Sequence, residues 1–332
     1  MAALVQVMDF GANPGSLDMY EYVPADLPAG APLVVVMHGC TQTAADIANA
    51  GWNALADAHH FAVVYPQQRT SNNPLSCFDW FTSTDITRGS GEAASIVAMI
   101  DHEITTRASD TTRVYATGVS AGGAFTAVLL AAYPDRFAAG SVMSGIAYGC
   151  ASDATSAATC EQGVSKSADE WGQLARAGDA SFAGAWPRVQ IWQGTADTTV
   201  APTNAAALVA QWTNVRGADQ TVRSTDTIGS TTYTTYASGD VEEYVVSGMG
   251  HAIAIGDDPT LGACPATGGA FFEDHQICST LRAGKFFGVL DDAAPTGGDT
   301  TSPHHGGCDA GGGELIVALV LLPLRRRWRA KS

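Results

Sequence analysis

The chain has 332 residues, 46% of them apolar and 15% charged, with a formal net charge of −16 at neutral pH. That apolar content is enough for one large buried core. With no basic stripe outside the extreme C-terminus, the acidic balance excludes a phosphate-binding surface, so no nucleic-acid partner is expected and the acidity is read as solubility.

The opening stretch, MAALVQVMDFGANPG, lacks a basic n-region and a long enough apolar run for a secretory signal, so export would require a leader upstream of this start. From Leu33 short Val-rich runs alternate with helical stretches. The strand-like runs span Pro32 to Gly39, Phe61 to Pro66, Arg113 to Val119, Ala138 to Gly145 and Arg188 to Gly194, each bounded by Gly, Pro or a polar residue. Ala44 to His59, Glu92 to Thr106, Gly122 to Tyr133 and Asn204 to Val215 carry Ala, Leu and Ile at helical spacing. This alternation predicts an α/β fold with a mostly parallel central sheet and helices on both faces. Ser230 to Gly248, rich in Thr, Tyr and Val around Gly239 and Asp240, predicts two further strands or an antiparallel excursion, and Ser279 to Val289 a closing helix.

After Leu290 the composition changes. Residues 291–307 are rich in Gly, Thr, Pro and Asp, which predicts a flexible linker after a catalytic domain spanning 1–290. His304 and His305 fall in this linker, where a metal site is the lesser reading. Residues 308–332 combine a Cys, a Gly-rich spacer, the apolar run Leu315 to Leu324 and an Arg cluster; ten apolar residues are short for a membrane span, which takes about 20.

Seven cysteines without CxxC spacing favour disulfides in an oxidising compartment over zinc. Short separations suggest Cys150 with Cys160 and Cys264 with Cys278, leaving Cys40 with Cys77. Sequence alone does not choose among the 15 connectivities open to six cysteines, and Cys308 is the odd one.

The strand ending at Val119 runs into Gly118-Val119-Ser120-Ala121-Gly122, a GxSxG turn in which a Ser hydroxyl is pushed out between small neighbours. Asp197 follows the strand Arg188 to Gly194, and His251 lies in a loop with Gly248 and Gly250. The order Ser, Asp, His at strand ends is that of a nucleophile, its orienting acid and its base. A tight turn, a helix cap and a loop histidine are the plain alternatives for the three taken singly. An oxyanion hole is expected from the backbone N–H groups of Ala121 and Cys40, with His38 holding the Cys40 loop rather than acting as the base. Trp80, Phe81 and Tyr148 are candidates for lining a substrate cleft, against a core role for each.

Several stretches, among them MHGCTQTAADIANAGWNALADAHHFAVVYPQQ, CFDWF, RVYATGVSAGGAFTAVLLAAYPDRFAAGSVMSG, GTADTTV and GMGHA, resemble the esterase and poly(3-hydroxybutyrate) depolymerase family, which includes feruloyl and acetylxylan esterases. The resemblance covers residues 13–290. It implies an α/β-hydrolase fold, a triad of Ser120, Asp197 and His251, secretion, and no metal or organic cofactor. The expected activity is serine carboxylic ester hydrolysis on polyhydroxyalkanoate-type polyesters or their oligomers. Alternatives are plant cell-wall feruloyl or acetyl esters, a serine peptidase of the same fold, and a surface module without chemistry. Residues 308–332 resemble a MYXO-CTERM-type sorting signal, which implies a sorting protease, processing or anchoring at Cys308, and a cell-surface or extracellular location.

Overall fold

The computed structural model describes residues 4–290. The linker expected at 291–307, with His304 and His305, and the tail expected at 308–332, with Cys308, lie outside the described residues. The main sheet is built from β1 (Val5–Val7), β2 (Asp18–Tyr22), β3 (Leu33–Met37), β4 (Ala62–Gln67), β5 (Val114–Val119), β6 (Ala139–Met143), β7 (Arg188–Gly194), β8 (Ser224–Ile228), β9 (Thr231–Tyr236) and β10 (Val241–Val246). They lie in the order β1-β2-β4-β3-β5-β6-β7-β10-β9-β8. The six from β4 to β10 in that order are parallel. Antiparallel strands flank them, β2 with β1 on one side and β9 with β8 on the other. The five Val-rich runs thus form the sheet's centre, and Ser230 to Gly248 folds as the β9–β10 hairpin.

The helices are α1 (Ala44–Ala48), α2 (Trp52–His59), α3 (Ser83–Ile86), α4 (Gly91–Arg107), α5 (Ala121–Ala132), α6 (Ala154–Glu161), α7 (Ala168–Gly178), α8 (Thr203–Val215) and α9 (Ser279–Phe287). Because side chains alternate across a strand, β3 feeds two cores. Leu33, Val35 and Met37 pack with Ile96 and Ile100 of α4, Phe125 of α5 and Trp212 of α8. Val34 and Val36 pack on the other face with Trp52 and Leu55 of α2 and Phe286 and Phe287 of α9. Among the described residues no helix is long and apolar enough to cross a membrane.

One expected helix, Ala44 to His59, is two. Gly51 between α1 and α2 has φ +93, and a Cβ there would lie 2.7 Å from the carbonyl carbon of Pro265, so the chain turns where only glycine fits. α6 and α7 were not expected: α6 reads ATSAATCE, whose Ser and Thr blur the apolar period. The capping boxes Asp153/Ser156 and Ser167/Glu170 that start these helices are the sequence signal for them.

The six described cysteines form Cys40–Cys77, Cys150–Cys160 and Cys264–Cys278. The first ties the loop after β3 to the segment after β4, the second closes α6 onto the loop after β6, and the third holds the residue that caps α9. Three such bonds suit an oxidising, extracellular setting.

Candidate active site

Four loops meet at the carboxyl ends of the parallel strands, and their backbones are tied to one another. Ser120 N–H donates to Met143 O at 3.0 Å, Ser144 N–H to Trp192 O at 2.8 Å, Thr195 N–H to Val246 O at 3.0 Å and Ala196 N–H to Met249 O at 2.9 Å. These bonds carry the sheet's ladder past the strand ends and bring the turns bearing Ser120, Asp197 and His251 together.

Ser120 sits between β5 and α5 with φ 57 and ψ −122, a strained conformation for a side-chain-bearing residue. The turn closes because Gly118 and Gly122, two residues to either side, have no Cβ. A Cβ on Gly122 would stand 2.5 Å from both Met37 O and His38 O. The start of α5 therefore lies directly against the loop after β3. Gly39 of that loop borders Ser120, since a Cβ there would be 3.3 Å from Ser120 Cβ. Among the described residues neither the Ala121 N–H, next to Ser120 in the chain, nor the Cys40 N–H, next to Gly39, has a hydrogen-bond acceptor, so both donors are uncommitted.

His251 Nδ1 and Asp197 Oδ2 are 2.8 Å apart. A carboxylate only accepts, so Nδ1 carries the hydrogen of this bond and Nε2 is the ring nitrogen left to face outward from it. Asp197 is 4% exposed. Its Oδ1 accepts from Thr199 N–H and Val200 N–H, each at 2.9 Å, and Oδ2 also accepts from Gln193 Nε2 at 3.2 Å. Burial pushes this carboxyl up, but the His251 hydrogen bond and charge, with the two N–H donors, outweigh it and hold it below the usual range. The sequence reading missed Gln193, which also donates to Val200 O at 3.0 Å and so braces the Asp197 turn.

His38 is fully buried. Its Nε2 accepts from Gln68 N–H at 3.1 Å and its Nδ1 faces Gly39 O at 2.7 Å, so it is a neutral clamp holding the Cys40 loop, as its position suggested. Gln42 completes the brace by accepting Gly39 N–H at 2.9 Å. Burial lowers His38 from 6.5 to about 4, against the raising effects of the Gly39 carbonyl and Asp46. Protonation therefore favours the unfolded chain, and the stabilisation is complete above pH 6.5 and lost as pH falls towards 4. The difference corresponds to about 3 kcal/mol. Urea unfolding at steps from pH 7 to pH 4 is expected to show a steeper loss of stability in the wild type than in His38→Gln. Equal slopes would show that His38 is not buried neutral.

The cleft candidates fare differently. Trp80 is 6% exposed and packs in the core, edge-on to Phe81 at 5.3 Å. The CFDWF segment fills apolar space beneath the Cys40 loop, where Phe78 lies 4.9 Å from the His38 ring and 5.5 Å from Phe125. Burial thus makes Trp80 a core residue rather than a cleft wall. Phe81 and Tyr148 are half-buried at the same core's edge, with Tyr148 N–H and C=O both held by the Gln211 side chain. The aromatic beside the site is Phe271, 45% exposed and 6.3 Å from the His251 ring. It lines a cleft of about 160 Å³ with Thr41, Gln42, Asn49 and Ala270. Its distance in sequence from any motif hid it.

The Esterase PHB depolymerase family matches residues 17–231. Poly(3-hydroxyalkanoate) depolymerase C of Paucimonas lemoignei is 47% identical over 294 residues, covering 87% of this chain and 70% of that protein. Feruloyl esterase B of Thermothelomyces thermophilus is 35% identical over 271 residues, covering 78% of this chain and 92% of that protein. Among solved structures, the acetyl xylan esterase from Aspergillus awamori superposes with a TM-score of 0.74 at 29% identity, covering 87% of this chain and all of that one. With an α/β-hydrolase sheet, a GxSxG turn and relatives that are esterases and depolymerases, this chain is a carboxylic ester hydrolase and belongs to the Esterase PHB depolymerase family.

Proposed function

We propose that Ser120, Asp197 and His251 are the nucleophile, orienting acid and general base of this hydrolase, acting on polyhydroxyalkanoate-type polyesters or their oligomers. The observation that carries the reading is the convergence at the sheet's carboxyl end of a strained Ser120 turn, with the Cys40 and Ala121 N–H groups uncommitted, and of a His251 whose Nδ1 is fixed by buried Asp197. His251 Nε2 takes the Ser120 proton as Oγ attacks the ester carbonyl, and the Cys40 and Ala121 N–H groups receive the oxyanion. Collapse expels the alcohol, which His251 protonates, and leaves an acyl-Ser120. Water activated by His251 then releases the acid. Asp197 stabilises the imidazolium in both halves without taking its proton.

The substrate class rests on the 47% identity to a poly(3-hydroxyalkanoate) depolymerase and on the cleft at Phe271, whose roughly 160 Å³ suits a short aliphatic hydroxyacyl unit. The test is a panel of 3-hydroxybutyrate oligomers, amorphous poly(3-hydroxybutyrate), methyl ferulate and acetylxylan. Expected is at least a tenfold advantage in kcat/KM for the hydroxyalkanoates. A preference for ferulate or acetylxylan overturns the substrate class and leaves ester hydrolysis standing.

We further propose that the protein works outside the cell, with residues 308–332 serving as a sorting tail cut or anchored at Cys308 by a sorting protease. The three disulfides support the extracellular half of this reading, and the sequence of the tail supports the other. Intact mass from the native host tests it: an unmodified chain ending at Ser332 would refute the tail's role.

A further inference from the structure

At the end of α4 remote from Ser120, three potential ligands meet in the fold. Glu21 on β2 and His102 and Glu103 on α4 each bring one carboxylate oxygen or imidazole nitrogen within 4.8 Å of the others. Glu103 is 0% exposed and Glu21 5% exposed. Among the described residues both oxygens of Glu103, and Oε2 of Glu21, have no hydrogen-bond partner, and Arg107 occupies only Oε1 of Glu21 at 2.7 Å. A buried carboxylate without donors is costly unless a cation faces it. Burial and the facing Glu21 carboxyl push Glu103 up to about 9, so without a cation the pair of carboxyls holds a proton between them.

We propose that Glu21, His102 and Glu103 form a structural site for a divalent transition-metal ion of the Zn²⁺ type, joining β2 to α4. A shared proton would balance the charge but leave the imidazole and the remaining lone pairs unused. A metal uses all three residues. Two carboxylate oxygens and one imidazole nitrogen are a zinc set, whereas Ca²⁺ and Mg²⁺ prefer oxygen ligands throughout. A cavity of about 530 Å³ lined by Glu21, Tyr22, Thr106 and Arg107 provides the entry path and the water for a fourth position. Arg107, partly exposed, continues to hold Oε1 of Glu21 and orients that carboxylate, as outer partners of metal ligands do. The site is not catalytic: Glu92, at the α4 end nearer the Cys40–Cys77 bridge, is eleven residues from Glu103, about 16 Å along the helix.

The test uses the full chain, stripped with chelator and equilibrated by dialysis against micromolar Zn²⁺, Ca²⁺ or Mg²⁺. Metal content and thermal midpoint are compared for wild type, His102→Ala and Glu103→Gln. His102 is half-buried, so its variant is the one expected to fold without difficulty. Expected is one more bound zinc per chain in the wild type than in either variant, and a zinc-dependent rise of about 5 °C in the midpoint that both variants lose. Zinc binding unchanged by His102→Ala, or a wild type whose midpoint zinc does not move, overturns the proposal.

Discussion

Replacing Ser120 with Ala is expected to lower kcat for ester hydrolysis by about 10⁵-fold or more while the protein stays folded, because only the attacking oxygen is removed. His251→Ala should cost a similar factor, and Asp197→Asn about 10⁴-fold, since the amide can pair with the wrong imidazole tautomer. The three residues act as one unit, so the double variant Ser120→Ala/His251→Ala should be no slower than Ser120→Ala alone. Single-turnover rates on a p-nitrophenyl ester, with circular dichroism as the check on folding, measure this. Near wild-type turnover by Ser120→Ala would remove the assigned nucleophile.

The second large effect is expected from a single methyl group. Gly122→Ala places a Cβ 2.5 Å from the carbonyl oxygens of Met37 and His38, both backbone atoms that no rotamer change can move aside. Either α5 or the Cys40 loop must shift, and each carries one of the two uncommitted N–H donors. Overpacking of this kind costs about 1–3 kcal/mol, and a displacement on the order of 1 Å costs about 10²-fold in rate. The variant should therefore melt lower and lose kcat more than it raises KM. A Gly122→Ala protein with wild-type kcat would show that the α5 start and the loop are free to separate without consequence.

Much of the fold was legible because its centre consists of parallel strands buried on both faces, and such strands are written as unbroken Val-rich runs. The flanks were not. β2 reads DMYEY and β8 reads STDTI, edge and near-edge segments whose polar residues carry no apolar run, and the break at Gly51 depends on Pro265, more than two hundred residues away. The candidate triad was legible for a related reason: each member follows a recognisable strand, so chain order alone gives its place at the sheet's carboxyl end. Phe271 and Gln193 were not, since one depends on how the segment between Cys264 and Cys278 loops back and the other on a side chain folding over its own turn. Trp80 shows the converse. Its aromatic character suggested substrate, and only the packing around Phe78 and Phe81 places it inside.

The hydrogen bonds from Ser120 to Met143, Ser144 to Trp192 and Ala196 to Met249 have a bearing on how this protein could diversify. They make the turns that bear Ser120, Asp197 and His251 an extension of the sheet, inherited by any descendant that keeps the sheet. Phe271 belongs to a different level of construction. It precedes β12 (Phe272–Asp274), which pairs with β11 (Ile253–Ile255) in a two-stranded patch outside the main sheet, and its segment is secured by the Cys264–Cys278 bridge. On the proposed substrate reading, exchanges between residues 265 and 271 reshape which ester is accepted, whereas Glu273, which accepts from Gly250 N–H beside His251, and Asp258, paired with Arg282, belong to the part that must stay. Laboratory selection for a new ester would find its productive changes concentrated in that segment.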